Sequence, residues 1–245
     1  MTKDFSLVIP AYNEGDRLEV FLKELVLQMK GSHLSGEIIV VDDGSLEKDR
    51  NAYQRMIQDI NSSDVRLVSL DKNSGKGYAI RHGFHLADAR WVGFADADGA
   101  ICAEEVFRLL SFALHSSGFS GVFGARILML GYQIQRSLLR HLFGRVFVTC
   151  VTCILGIPVY DPQCGCKFFL KKDIVDFLPF CQEKGYLLDL ELIAFGLGKK
   201  LKFLEIPINW NDVKGSKVRL FSDGIGMLKD LWRIKKRADR LKTIQ

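Results

Sequence analysis

Trp91-Val92-Gly93-Phe94-Ala95-Asp96-Ala97-Asp98-Gly99 is an uncharged apolar run that stops at two carboxylates and a glycine. A short run of this kind, bounded by turn residues, reads as a buried strand with acidic groups at its carboxyl end. Upstream the pattern repeats. Phe5-Ser6-Leu7-Val8-Ile9 runs into Pro10-Ala11-Tyr12-Asn13-Glu14, and Glu37-Ile38-Ile39-Val40-Val41 ends at Asp42-Asp43-Gly44-Ser45. Val65 to Leu70 is a further strand. Between these runs lie Leu18, Phe21, Leu22, Leu25, Val26 and Met29 at helical spacing, a polar helix reaching Ile60, and a helix opened by Gly75-Lys76-Gly77 and reaching Ala89. Strands alternating with helices predict an α/β fold with a mostly parallel central sheet flanked by helices. Ligands of such sheets sit beyond the carboxyl ends of the strands, where Tyr12, Glu14, Asp42, Asp43, Asp96 and Asp98 collect.

Downstream the pattern changes. Gly121-Val122-Phe123-Gly124 reads as another strand, Tyr132 to Ile157 as a long basic and apolar helix, and Leu201 to Trp210 as a strand or hairpin. The C-terminus sets Leu228, Leu231, Trp232 and Ile234 among Lys229, Arg233, Lys235, Lys236, Arg237 and Arg240. The simplest division is one domain over residues 1–220 and a basic amphipathic helix over 221–245, within that domain or appended to it at a membrane surface.

Hydrophobic residues are 48% and charged residues 26% of the 245, enough for a sizeable core. Lys plus Arg total 34 against 29 Asp plus Glu, a net +5 that is too small to call for a nucleic-acid partner. No targeting peptide is expected at the N-terminus and no apolar run is long enough to span a bilayer. The six cysteines, at 102, 150, 153, 164, 166 and 181, read as reduced thiols. Cys150-x-x-Cys153 lacks a second ligand pair and is expected to be core.

Asp96-x-Asp98 suits a hard divalent ion that leaves positions for diphosphate oxygens and water; it equally suits an acidic turn capping a helix near Ala103. Asp42-Asp43 suits either a helix-capping turn or a nucleoside contact, and Tyr12 offers a face for a base. Asn73-x-Gly75-Lys76-Gly77 is not a Walker loop, and no Gly-x-Gly-x-x-Gly follows the first strand. Its glycines also suit a helix that simply starts close to the sheet.

Taken in order, Val8 to Glu14, Val40 to Ser45, Asn73 to Gly77 and Ala95 to Gly99 resemble the motifs of the family 2 inverting glycosyltransferases, which have the GT-A fold. Asp161-Pro162-Gln163-Cys164-Gly165-Cys166-Lys167, Leu188-Asp189-Leu190-Glu191-Leu192, Asn209-Trp210 and Gly215-Ser216-Lys217 resemble the dolichyl-phosphate β-glucosyltransferase and polyprenyl-phosphate branch. The resemblance implies a UDP-sugar donor, with Pro10, Tyr12, Glu14 and Asp42 on the nucleoside, Asp43 nearby and Lys76 among the substrate-binding residues. It implies Mg²⁺ or Mn²⁺ on Asp96 and Asp98, Asp98 most directly. Arg126 and Arg136, with Arg140 an alternative to Arg136, would grip the phosphate of a polyprenyl-phosphate acceptor. Gln163, Asp189 and Glu191 would line the sugar side, and Lys217 would lie on a loop over the phosphates. The expected setting is the cytoplasm, peripheral on a membrane face, and a homo-oligomer stays open. The alternatives are the same fold with GDP-mannose or another UDP-sugar, a non-lipid acceptor, a silent binding protein, and a nucleotidylyltransferase. The last lacks its glycine-rich opening loop here.

Overall fold

Of the strands in the first half, those over residues 3–11, 36–42 and 89–95 are largely buried on both sides, as strands covered by helices on two faces must be, whereas the edge strand over 65–69 is only partly buried. The computed structural model describes residues 2–135, 138–211 and 220–243. β1 (Lys3–Ala11) is flanked by β2 (Gly36–Asp42) and β4 (Ala89–Ala95), and β2 is followed outward by β3 (Val65–Ser69). Beyond β4 come β7 (Cys166–Leu170), β5 (Gly121–Ala125) and β8 (Phe203–Pro207), giving the order β3-β2-β1-β4-β7-β5-β8. All neighbours are parallel except at β7, which is antiparallel to both β4 and β5.

Alternation along the strands sorts the core into two layers. Phe5, Leu7 and Ile9 pack with α1 (Gly15–Gly31), α2 (Glu47–Ile60) and α4 (Ala103–His115) through Leu22, Tyr53 and Leu109. Val8, Ile39 and Val41 face the other way, towards α3 (Lys76–Leu86), α7 (Leu188–Gly198) and α8 (Leu220–Thr243). Leu231 and Ile234 of α8 are fully buried there, so the basic C-terminal helix is docked on the core.

The second half departs from its sequence reading. The stretch expected to be helical from Tyr132 starts with β6 (Ile134–Gln135), and α5 covers Leu138–Leu155. The stretch from Leu201 to Trp210, expected as a strand or hairpin, is a strand: β8 joins the main sheet beside β5, and the β9 that follows (Trp210–Asn211) pairs in parallel with β6. β7 is followed by the short α6 (Lys171–Ile174). Cys150 is half-buried and Cys153 exposed, because α5 lies at the surface with Leu142 and Val146 exposed; neither is a core thiol. Among the described residues, no helix is long and apolar enough to cross a membrane.

Candidate active site

The carboxyl ends of β1, β2 and β4 meet at one rim, laced by backbone hydrogen bonds such as the Asp43 N–H to the Ala11 carbonyl at 2.8 Å. Asp42 is fully buried. Its Oδ1 accepts the Ser45 N–H at 2.9 Å, whereas Oδ2 accepts no hydrogen bond and faces Arg50 Nε at 3.6 Å. A buried carboxylate oxygen with an open valence is a receptor for a donor N–H or O–H. Asp43 is engaged differently: its two oxygens accept the Ser74 and Gly75 amides at 2.7 and 2.8 Å. It therefore shapes the Asn73–Gly77 turn. Burial still pushes its carboxyl above the ordinary aspartate value, despite those amides. Pro10 is buried within β1 and Tyr12 stands exposed beyond its end. Glu14 pairs with Arg17, and its amide donates to the Tyr53 hydroxyl at 2.8 Å.

Asp96 and Asp98 follow β4. The Asp96 amide donates to the Gly165 carbonyl at 2.9 Å, and its carboxylate lies against Gly165 so closely that any side chain there would strike it. Lys76, in the first turn of α3, reaches Asp96 Oδ1 at 2.5 Å. Burial opposes the charge on Lys76, but Asp96 outweighs it and keeps the amine above the ordinary lysine value. Asp98 accepts the Ala100 amide at 3.1 Å and makes no ion pair among the described residues. Burial, then the neighbouring Asp96, pushes its carboxyl up, with Lys76 pulling the other way.

These residues fit a divalent cation. Two hard oxygen donors share a turn, one is held up by burial without a cation of its own, and an ammonium already sits on the other. No cluster of three or more His, Cys, Asp or Glu converges among the described residues. An ion held by Asp96 and Asp98 would complete its shell with diphosphate oxygens and water, as small hard cations do.

Across the rim from Asp96, a cavity of about 40 Å³ is lined by Arg126, Arg145, Tyr160, Asp161 and Gln163 among others. The Arg126 fork, expected on a phosphate, is occupied: it donates to both Asp161 oxygens at 2.6 and 2.8 Å and stacks 4.9 Å from Trp210. Burial pushes the Asp161 carboxyl up, but Arg126 outweighs it and holds the group below the ordinary range. Asp161 and Tyr160 are in turn anchored, through their amides, on Glu205 at 2.8 and 2.7 Å. Arg145 of α5 lies 4.7 Å over the Tyr160 ring. Arg136 and Lys217 fall outside the described residues, as does the side chain of Arg140.

Asp189 and Glu191 part company. Asp189 accepts Lys167 Nζ at 2.8 Å, and Lys167 also donates to the Cys164 carbonyl at 2.6 Å. Lys167 is fully buried, 5.7 Å from the Phe94 ring and 5.9 Å from Phe123. It thus ties Asp189 to the Cys164-Gly165-Cys166 turn that abuts Asp96. Glu191, expected on the sugar side, is instead buried towards α8, where it meets Arg237 Nε at 2.6 Å. Residues two apart on a helix do not share a face. Lys167, Asp161, Arg145 and Arg237 carry this architecture and were given no site role from the sequence. Lys167 left one signal, a lysine inside the apolar run Cys166–Leu170.

The model of the family described as "Glycosyl transferase family 2" matches residues 6–172. A dolichyl-phosphate beta-glucosyltransferase of Saccharomyces cerevisiae is 33% identical over 242 residues, covering 92% of this chain and 72% of that protein. Its Homo sapiens counterpart is 32% identical over 243 residues, covering 94% and 74%. Among solved structures, glucosyl-3-phosphoglycerate synthase from Mycobacterium tuberculosis, in complex with Mn²⁺, UDP and glucosyl-3-phosphoglycerate, superposes with a TM-score of 0.69 at 17% identity, over 97% of this chain and 80% of that one. That likeness speaks for the fold. With the family model spanning the sheet from β1 to β7 and relatives aligned over nearly the whole chain, the protein belongs to glycosyl transferase family 2.

Proposed function

We propose that the chain transfers glucose from UDP-glucose to a polyprenyl phosphate of the dolichyl or undecaprenyl type, with inversion and with Mg²⁺ or Mn²⁺. The observation that carries this reading is Asp96, Asp98 and Lys76 gathered at the end of β4, with only β1 between them and the open oxygen of Asp42 at the end of β2. The relatives' names supply the sugar and the acceptor.

Tyr12 and Asp42 receive the nucleoside, Asp42 through its unused oxygen. Lys76, at the first turn of α3 beside Asp96, would engage the donor diphosphate. The cation, when bound to Asp96 and Asp98, supplies neutralisation of the charge that develops on the leaving nucleoside diphosphate. The acceptor needs no general base, because a phosphate monoester with a second pKa of about 6 is already anionic near neutrality. One of its oxygens forms the bond to the anomeric carbon while the bond to UDP breaks, and the electron pair departs on the β-phosphate. Arg145 and Gln163 hold the acceptor phosphate in the cavity, and Arg126 braces Asp161 beside it. Asp189, held in place by Lys167, orients a sugar hydroxyl.

The acceptor brings the chain to a membrane. Leu128 and Leu130, 78% and 98% exposed, cap the loop that leaves β5 beside the Arg126 cavity. Leu142, Val146 and Trp232 add exposed apolar groups on α5 and α8. With the basic α8, they suit peripheral binding to an anionic cytoplasmic leaflet.

The test is transfer of radiolabelled sugar from UDP-glucose to a short-chain polyprenyl phosphate with Mn²⁺ or Mg²⁺, beside GDP-mannose and UDP-N-acetylglucosamine. Chelator-sensitive glucosyl transfer is expected. Preferential use of another donor would overturn the sugar assignment, and UDP binding without transfer to lipid would overturn the acceptor.

A further inference from the structure

We propose that Arg237 is a positioning residue: it ties α8 to the loop 181–185, and through that loop fixes the turn that presents Lys76 to the donor diphosphate. The chain of contacts is continuous. Arg237 Nε donates to Glu191 Oε1 at 2.6 Å, and its outer nitrogen engages the Glu183 carboxylate. The second Glu191 oxygen accepts the amides of Gln182 and Glu183 at 2.9 and 2.8 Å. One buried carboxylate and one guanidinium thus hold both the backbone and a side chain of this loop.

The loop rests on the start of α3. The Lys184 carbonyl accepts the Tyr78 amide at 3.1 Å, and Arg81 of α3 donates to the Cys181 carbonyl. Gly75, at φ +102°, lies flush against the Lys184 carbonyl, and a Cβ on Gly77 would come within 2.6 Å of the Gly185 carbonyl. The glycines at 75 and 77 are therefore required by this loop, whatever else they do for a ligand. Lys76 sits between them with its amine on Asp96. Asp43 clamps the same turn from its other side.

Loss of the guanidinium would leave Glu191 buried without its cation and release Glu183, and an uncompensated buried carboxylate takes a proton or pulls in water. Either response loosens the loop under Gly75–Tyr78. The coupling is reciprocal: a ligand that fixes Lys76 steadies α8, and contacts that shift α8 change donor affinity. The donor side of this inference rests on the function proposed above; the mechanical side does not.

The experiment uses the full chain with Arg237→Ala, Arg237→Lys and the milder Glu183→Gln. It reads amide exchange of Tyr78 by NMR and the affinity for UDP with Mn²⁺. In Arg237→Ala the Tyr78 amide is expected to exchange about tenfold faster while amides within α4 keep their protection. UDP affinity is expected to fall about tenfold while the KM for a short-chain acceptor stays unchanged, and Arg237→Lys should recover part of both losses. An unchanged Tyr78 amide in a folded Arg237→Ala variant overturns the coupling. Should Arg237→Ala not fold, the same exchange reading on Glu183→Gln decides. If the Tyr78 amide responds and the parent binds no UDP, the coupling holds and the donor reading fails.

Discussion

The two sides of the sheet handle charge in opposite ways. On the β1, β2 and β4 side, carboxylates stand at strand ends with valences left over: Asp42 has an oxygen without a hydrogen bond, and Asp98 is pushed up by burial and by Asp96. On the β7, β5 and β8 side, buried charges are paired within the protein: Lys167 with Asp189, Arg126 with Asp161, and Glu105 with Arg108. The first arrangement costs folding free energy and waits for a ligand to offset it; the second is self-contained and holds shape. A variant should therefore damage binding on one side and stability on the other.

The largest effect should come from Asp98→Asn. Removing a charge stabiliser of the leaving group should cost about 4 kcal/mol of activation, roughly a thousandfold in turnover. The unfolding temperature should not fall, since a buried, poorly compensated charge is lost. A concurrent stability loss would blur the contrast. Next is Lys167→Met, which strands Asp189 in the interior and should cost about 3 kcal/mol of stability by chemical denaturation. A stable Lys167→Met that only lost activity would move Lys167 to the ligand-binding group. Arg145→Ala should raise the KM for a short-chain acceptor about tenfold and leave UDP affinity alone; equal loss of both would remove Arg145 from the acceptor side.

The smallest effect is in the acid profile. Asp161 and Glu105 are held below their ordinary values, because their arginine partners outweigh burial. Each contributes stability that is present above the unfolded-state pKa, about 4, and is lost as pH falls through the lower folded value. Asp98, pushed up, works in the other direction, and its cost to the folded state is relieved as pH falls. The denaturation midpoint should decline below about pH 4, and Asp161→Asn, already weakened at neutral pH, should lose less on acidification. An identical acid profile in that variant would mean the pair contributes nothing to the slope.

The same division decides what was legible in the sequence. Strand ends in the first half announce themselves because an apolar run, a turn and a polar cluster are neighbours in the chain; Pro10–Glu14, Asp42–Ser45 and Asp96–Gly99 could all be placed. In the second half the informative partners are far apart. Arg126 reads as a phosphate-binding arginine until Asp161 is brought to its fork, and β7 is masked as a strand by a lysine whose counter-ion lies on α7. Asp189 and Glu191 read alike as site carboxylates, although helical geometry sends them to opposite sides.

β5 and β7 are adjacent antiparallel strands, so residues 126–165 leave the sheet and return to it at a single edge of the rim. In topological terms the stretch that carries Arg145, Tyr160 and Gln163 is one oversized hairpin insertion. Closing a longer or shorter loop between fixed ends changes the entropy only slowly with length. Natural variation, or deliberate grafting, can therefore exchange this excursion as a cassette while β1 to β4 and their carboxyl ends stay as they are. Its exit and re-entry are already fastened by the Asp161–Arg126 fork and the Gly165–Asp96 contact. A graft should keep those two fastenings and alter what lies between them.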